Sequence, residues 1–341
     1  MPLITKNVRF GFGREATHNS WVVPAYWLLA REGMEITPKF GEMETQLIQA
    51  SREGHIEQRA QSTRDWTAKA VTCMAQEGAG FGVLLAELFG KVVTVPTGPG
   101  NYEHTFEANP GQFPGLSLCR HIEGQHQINA SGGRVSDVKI ACGVNQFLTV
   151  DLGFEGGSFV HAQATAAPAL VTPVTYFPFK GGAITLDSGG GASPIEIESM
   201  NLDIKNIIAN AAEVRFRIGT GEQIALDQTG IEFKGMIKRR MELDGVVNPY
   251  QTIFHELYDL HTPATIVASF VGNQIGLTGE TYLFQATMRV LFEDPKLSQS
   301  GGVQMEEVPF TALTEGTGAL KACSILLRDS QADPATATGT Y

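Results

Sequence analysis

The sequence predicts a mainly β chain: two tandem antiparallel β-sandwich or barrel domains, each with one short flanking α-helix and one long loop. Three observations carry that prediction. Several windows alternate apolar and polar residues with period two, as half-buried strands do. Helical windows are few, while glycine, at 38 of 341 residues, favours many turns. The order of elements in the first half also recurs in the second.

The strands come first. In RDWTAKAVTCM (64–74), Trp66, Ala68, Ala70, Thr72 and Met74 share one face, with Asp65, Thr67, Lys69, Val71 and Cys73 on the other. In EVRFRI (213–218), Val214, Phe216 and Ile218 alternate with arginines. TYLFQATMRVLFE (281–293) sets Tyr282, Phe284, Ala286, Met288, Val290 and Phe292 on one face. Its other face is mixed, so partial cover on both sides is expected. DVKIACGVNQFLTVDLGFE (137–155) changes phase near Gly143–Gln146, which suggests a bulge or bend in one long strand.

Two windows read as helices, AGFGVLLAELFG (79–90) and NPYQTIFHELYD (248–259). In the second, Asn248 can cap and Pro249 suits the first helical position. The first offers Leu84, Leu85, Glu87 and Leu88 for packing, and the second Ile253, Phe254, Glu256 and Leu257.

These helices anchor an internal repeat. MEITPKF (34–40) answers to MNLDIKN (200–206), an offset of 200 − 34 = 166, and Glu87 answers to Glu256 at 169. LSLCRHIEGQ (116–125) answers to TIVASFVGNQ (265–274), and KIACGVNQFLTVDLGFE to YLFQATMRVLFED. The expected boundaries are 1–157 for the first domain, 158–175 for a linker or arm rich in Ala, Thr and Pro, 176–329 for the second domain, and 330–341 for a mobile tail. Long excursions at 41–63 and 206–228 recur at the same place in each half. They carry Met43, Leu47, Ile48 and Ile56, and Ile207, Ile208, Val214 and Phe216, which argues for burial against another chain.

Composition excludes several function classes. With 25 Lys+Arg against 36 Asp+Glu, the formal charge is −11, a poor basis for gripping phosphate. The densest basic stretch, KGMIKRR (234–240), reads as a strand edge or hairpin with a solvated or intersubunit ion-pair face. Cys73, Cys119, Cys142 and Cys323 show no C-x-x-C pair and read as small buried hydrophobes in a reducing compartment. No signal peptide is expected from MPLITKNVRF, and no apolar run approaches a membrane span, so no membrane binding is expected.

Catalytic and cofactor motifs are also missing. FHELYDLH has the residues of a zinc hydrolase, but His255 is followed four residues later by Asp259, and His261 stands six on, around the helix. No metal, cofactor or catalytic residue is therefore expected. The glycine clusters at 11–13, 132–133 and 189–191 fit no phosphate-binding loop and read as turns.

GFGREATHNSWVVPAYWLLAREGMEITPKF (11–40) resembles the opening of long-tailed phage tail tube proteins. ACGVNQFLTVDLGFEGG is similar to that family's G-x-x-V-N-x-L-T-L strand, through Gly143, Val144, Asn145, Leu148 and Val150. ESMNLDIKNIIAN is similar to its S-x-x-L-x-I-x-N segment, through Ser199, Leu202, Ile204 and Asn206. The departures are the turn FGREATHNSW and the tail after 295. The resemblance implies tail-tube-like domains packed as two sheets with a flanking helix. For a duplicated chain it implies homotrimeric, pseudo-hexameric rings stacked into a tube of the virion tail, assembled in the host cytoplasm. Other tail proteins would meet the tube ends, and double-stranded DNA would pass through a negative lumen without specific binding. A terminator or distal tail ring, or a β-sandwich hydrolase or sugar-binding domain, stands as the alternative.

Overall fold

The computed structural model describes residues 8–29, 32–44, 59–77, 80–109, 115–122, 126–160, 174–208, 228–277, 279–313 and 323–332. The first half holds β1 (Val8–Arg14), β2 (Tyr26–Leu29), β3 (Glu32–Glu44), β4 (Arg59–Cys73), α1 (Phe81–Phe89) and β5 (Gly90–Gly98). It continues with β6 (Asn101–Ala108), β7 (Leu116–Ile122), β8 (His126–Gly143) and β9 (Thr149–Val160). The second half holds β10 (Gly182–Asp187), β11 (Ser193–Pro194), β12 (Ser199–Ile208), β13 (Gln228–Arg240) and α2 (Ile253–Asp259). It ends with β14 (Ala264–Gln274), β15 (Thr281–Phe292), β16 (Lys296–Ser300), β17 (Val303–Ala312) and β18 (Cys323–Asp329).

The chain is mainly β and wholly antiparallel in its ladders, and its sheet is not closed into a barrel. Pairing runs β2·β1·β7·β8·β9·β4·β3 in the first half. In the second it runs β11·β10·β14·β15·β17·β13·β12, the same order with counterpart strands. Two further ladders join the halves, β8·β12 and β6·β18. The second is stapled by His104, whose ring bonds Thr94 on one side and Asp329 on the other, and by the Arg328–Glu103 pair. Gln76 adds a tie, donating to the Tyr176 carbonyl and accepting from the Asn273 N–H.

The alternating strands bury the predicted faces. Trp66, Ala68, Ala70, Thr72 and Met74 all lie inside, as do Tyr282, Phe284, Ala286, Met288, Val290 and Phe292. Across the core Phe10 of β1 meets Phe154 of β9 at 5.2 Å between ring centres. Trp66 fits because Gly133 and Gly156 leave its ring room: a Cβ at either would stand 2.7 or 2.3 Å from the indole. Its Nε1–H donates to the Ser131 carbonyl at 3.0 Å.

Several expectations are corrected. The phase change near Gly143 is no bulge in one strand; it is the turn between β8 and β9, with Asn145 at φ 62°. α2 is not capped by Asn248 with Pro249 following. Thr252 is its N-cap, accepting from the His255 N–H, while Asn248 accepts from Tyr250 in the preceding turn. Gly11 and Gly13 lie within β1 and Gly132 and Gly133 within β8, so only 189–191 is a turn, closed by Asp187 accepting from Gly189 and Gly191. KGMIKRR is neither an edge nor a hairpin, because β13 is flanked by β12 and β17. β9 runs to Val160, into the segment read as linker, and the strand expected at 213–218 lies outside the described residues.

FGREATHNSW is tied down by Glu15. Its carboxylate accepts from the Ser117 hydroxyl and the Gly132 N–H, both at 2.8 Å. Burial pushes this carboxyl up to about 7, against those two donors, and the charge of Glu87 adds to the rise. The folded state therefore keeps a proton that the unfolded chain releases from its ordinary value near 4.5. The stabilisation is complete below that value, declines as pH rises, and is gone above about 7, a fall on the order of 3 kcal/mol. Urea midpoints at pH 5 and pH 7.5 test this. Glu15→Gln, which resembles the protonated form, is expected to flatten the decline, and an equal decline in both proteins would refute it.

Candidate assembly surface

Starting from β8·β12, one sheet can be followed through both halves: β3·β4·β9·β8·β12·β13·β17·β16. One face is packed into the core by Ile36, Ala68, Leu152, Ile140, Leu202 and Val308. The other is open and forms a shallow cavity of about 540 Å³ over β4, β9, β8, β12 and β13. At its two ends the sheet has unpaired edges: among the described residues β3 pairs only with β4, and β16 only with β17.

Charge on the open face is interleaved. Asp151, Lys139, Asp203 and Lys234 stand directly opposite one another on successive strands, and Lys139 reaches Asp203 at 3.8 Å. Lys205 likewise lies between Asp137 and Glu232. Opposite charges about 5 Å apart cancel well inside a Debye length of about 8 Å. The chain's acidity is thus not concentrated on this face.

The two helices support the sheets in different ways. Every residue of α1 is buried, including Leu84, Leu85, Glu87 and Leu88, and left-handed Gly80 and Gly90 bound it. Burial holds the Glu87 carboxyl above its ordinary value, opposed by Arg134 and Arg14, and neither oxygen has a hydrogen-bond partner among the described residues. In α2, Phe254, Glu256 and Leu257 are buried and Ile253 partly so. Burial also works to raise the Glu256 carboxyl, but the N–H groups of Asn248, Val246 and Val247 outweigh it and hold the group low. The two glutamates therefore occupy matching helices without sharing a task. Glu87 is buried beside arginines, while Glu256 closes the turn ahead of its own helix.

Beneath α2 lies a buried ionic network that sequence reasoning missed. Arg239 donates to Glu306 at 3.1 Å and to Asp244 at 3.2 Å, and its guanidinium stacks 4.6 Å over Phe254. Thr252 donates to Glu306, and His255 Nδ1 lies 3.1 Å from the same carboxylate. His261 turns instead to the Tyr258 carbonyl. Among the described residues no three His, Cys, Asp or Glu side chains group to hold a metal, and none of the four cysteines forms a disulfide.

Of the expected loop residues, Ile207 is exposed and Ile208 buried at the end of β12. Met43 lies in β3, while Leu47, Ile48, Ile56, Val214 and Phe216 lie outside the described residues. The excursions are shorter than expected, because 41–44, 59–63, 206–208 and Gln228 belong to the strands at their bases. The stretch after 295, named above as a departure from the family pattern, supplies β16, β17 and β18.

A family profile described as phage tail tube protein matches residues 5–312. The chain belongs to the phage tail tube protein family. As a tail tube protein it is a structural component of the virion tail, in a family that self-assembles and meets other tail proteins. Comparison with curated proteins found no match. No described helix is long and apolar enough to cross a membrane.

Proposed function

We propose that this chain is the major tail tube subunit, which closes into rings of three copies that stack into a DNA-conducting tube. The carrying observation is the sheet that crosses both halves and ends, among the described residues, on two unpaired edges. Unpaired edges invite strand addition, and closure removes the hazard. The matching ladder orders support two tube domains, about 1–157 and 176–329, related by a pseudo-sixfold step around the ring.

Size favours three copies. Each chain contributes the eight strands named above. At about 4.8 Å spacing and a tilt of about 40°, 24 strands enclose a backbone circle roughly 48 Å across, whereas 16 give roughly 32 Å before side chains intrude. The open face would then line the lumen. Its interleaved charges offer phosphates no positive strip to hold, so DNA would slide through without specific binding. No catalysis is required of any residue. The segments at 45–58 and 209–227, which include Leu47, Ile48, Ile56, Val214 and Phe216, would contact the adjacent ring.

Negative-stain microscopy of the purified full chain tests this reading. Stacked rings with threefold or pseudo-sixfold end views are expected. Single rings that never stack would indicate a terminator or distal tail role, and a permanent monomer at high concentration would sink the proposal. Replacing 45–58 with a short glycine–serine turn is expected to leave folded protein that no longer forms tubes.

A further inference from the structure

The β8·β12 ladder is a template for a contact that a single chain cannot complete. Its register sets Lys205 opposite Asp137 and Leu202 opposite Ile140. In the first half Lys39 and Ile36 of β3 take the places of Lys205 and Leu202, since MEITPK and MNLDIK align at an offset of 166. In the second half, DPKL (294–297) repeats DVKI (137–140) at an offset of 157.

Counting through the ladders gives the same result. Thr72 pairs with Val150, which pairs with Ile140. Arg239, 167 residues after Thr72, pairs with Glu306, which pairs with Leu297. Leu297 is thus the counterpart of Ile140, yet it is 54% exposed where Ile140 is 1%. Ile140 pairs within the chain with Leu202 of β12, and the counterpart of β12 is β3, whose outer edge is unpaired among the described residues.

We propose that β3 of one copy adds antiparallel to β16 of the next, in the register Ile36 opposite Leu297, Thr37 opposite Lys296 and Lys39 opposite Asp294. This rests on the ring reading and deepens it by naming the seam. The contact is head-to-tail, so each copy offers one edge and accepts another, which is the arrangement that closes into rings. Lys39 facing Asp294 repeats the charge order of Lys205 facing Asp137, and like charges there would oppose pairing. Pro38 and Pro295 fall at the positions of Ile204 and Val138. Proline has no N–H to give, so this opposed pair adds no backbone hydrogen bond and the register rests on the residues flanking it.

The test is a cysteine pair in the full chain. Opposite residues in an antiparallel ladder have Cα atoms about 4.5–5.5 Å apart, within disulfide range. Thr37→Cys with Lys296→Cys is expected to give covalent dimers and trimers on a non-reducing gel after mild oxidation. Seven ladder steps of about 4.8 Å separate the two edges within one chain, so an internal bond is out of reach. The register-shifted pair Thr37→Cys with Ser298→Cys is expected to lose most of that product. A second reading uses charge: K39E or D294K alone lowers the fraction assembled, and the two together restore it. Rings in the microscope without the Thr37–Lys296 cross-link, and without rescue by the double reversal, would overturn the seam but leave the ring reading. Absence of rings and of cross-links would overturn both.

Discussion

Trp66→Ala is expected to destabilise the chain by about 3–5 kcal/mol, the cost of removing a large buried aromatic side chain. Trp66 is 1% exposed and spans the gap that Gly133 and Gly156 leave open. Glycine backbones cannot move inward to fill an indole-sized hole while β8 and β9 hold their ladder register. The Ser131 carbonyl also loses its donor. The loss should appear as a lower urea midpoint with an unchanged slope, and a loss under 1 kcal/mol would show that the site collapses easily. Trp66→Phe is expected to recover part of the loss by filling volume without restoring the hydrogen bond.

Glu306→Ala is expected to cost about 3–5 kcal/mol, because it strands a buried charge and does not merely delete a contact. Arg239 is 3% exposed and would keep only Asp244, while Thr252 and His255 would lose a shared acceptor. The paired replacement Arg239→Met with Glu306→Leu is expected to restore most of the loss, since apolar side chains remove the charge that needed a partner. Thermal or urea unfolding of the single and double variants checks both statements. A double variant no better than the single would mean that the network holds α2 in place by geometry more than by charge.

Much of the core was legible beforehand. The face of β4 from Trp66 to Met74 and that of β15 from Tyr282 to Phe292 follow from period two alone, because burial on one side of a pleat writes alternation into the chain. The short helices were legible in place but not in their ends. Asn248 and Thr252 are both good caps, and only the packing of the preceding turn on Glu256 decides between them. The Arg239–Glu306 pair was illegible, since a charged residue in an alternating strand reads as outward-facing until its partner is known. β16 was missed for a related reason: KLSQS is short and polar, and it is a strand because β17 pairs with it.

The sequence by itself determined the mainly β class, the buried strand faces, the recurring order of elements and the family, all written in local pattern or in residues shared with that family. Only the tertiary structure decided which strands are interior and which edges stay open. An edge is a relation between strands far apart in the chain, and backbone N–H and C=O groups carry no mark of whether a neighbour will bond them. β12 and β3 look alike in sequence. One is covered by β8, and the other keeps an open outer edge because no further described strand of the chain pairs with it.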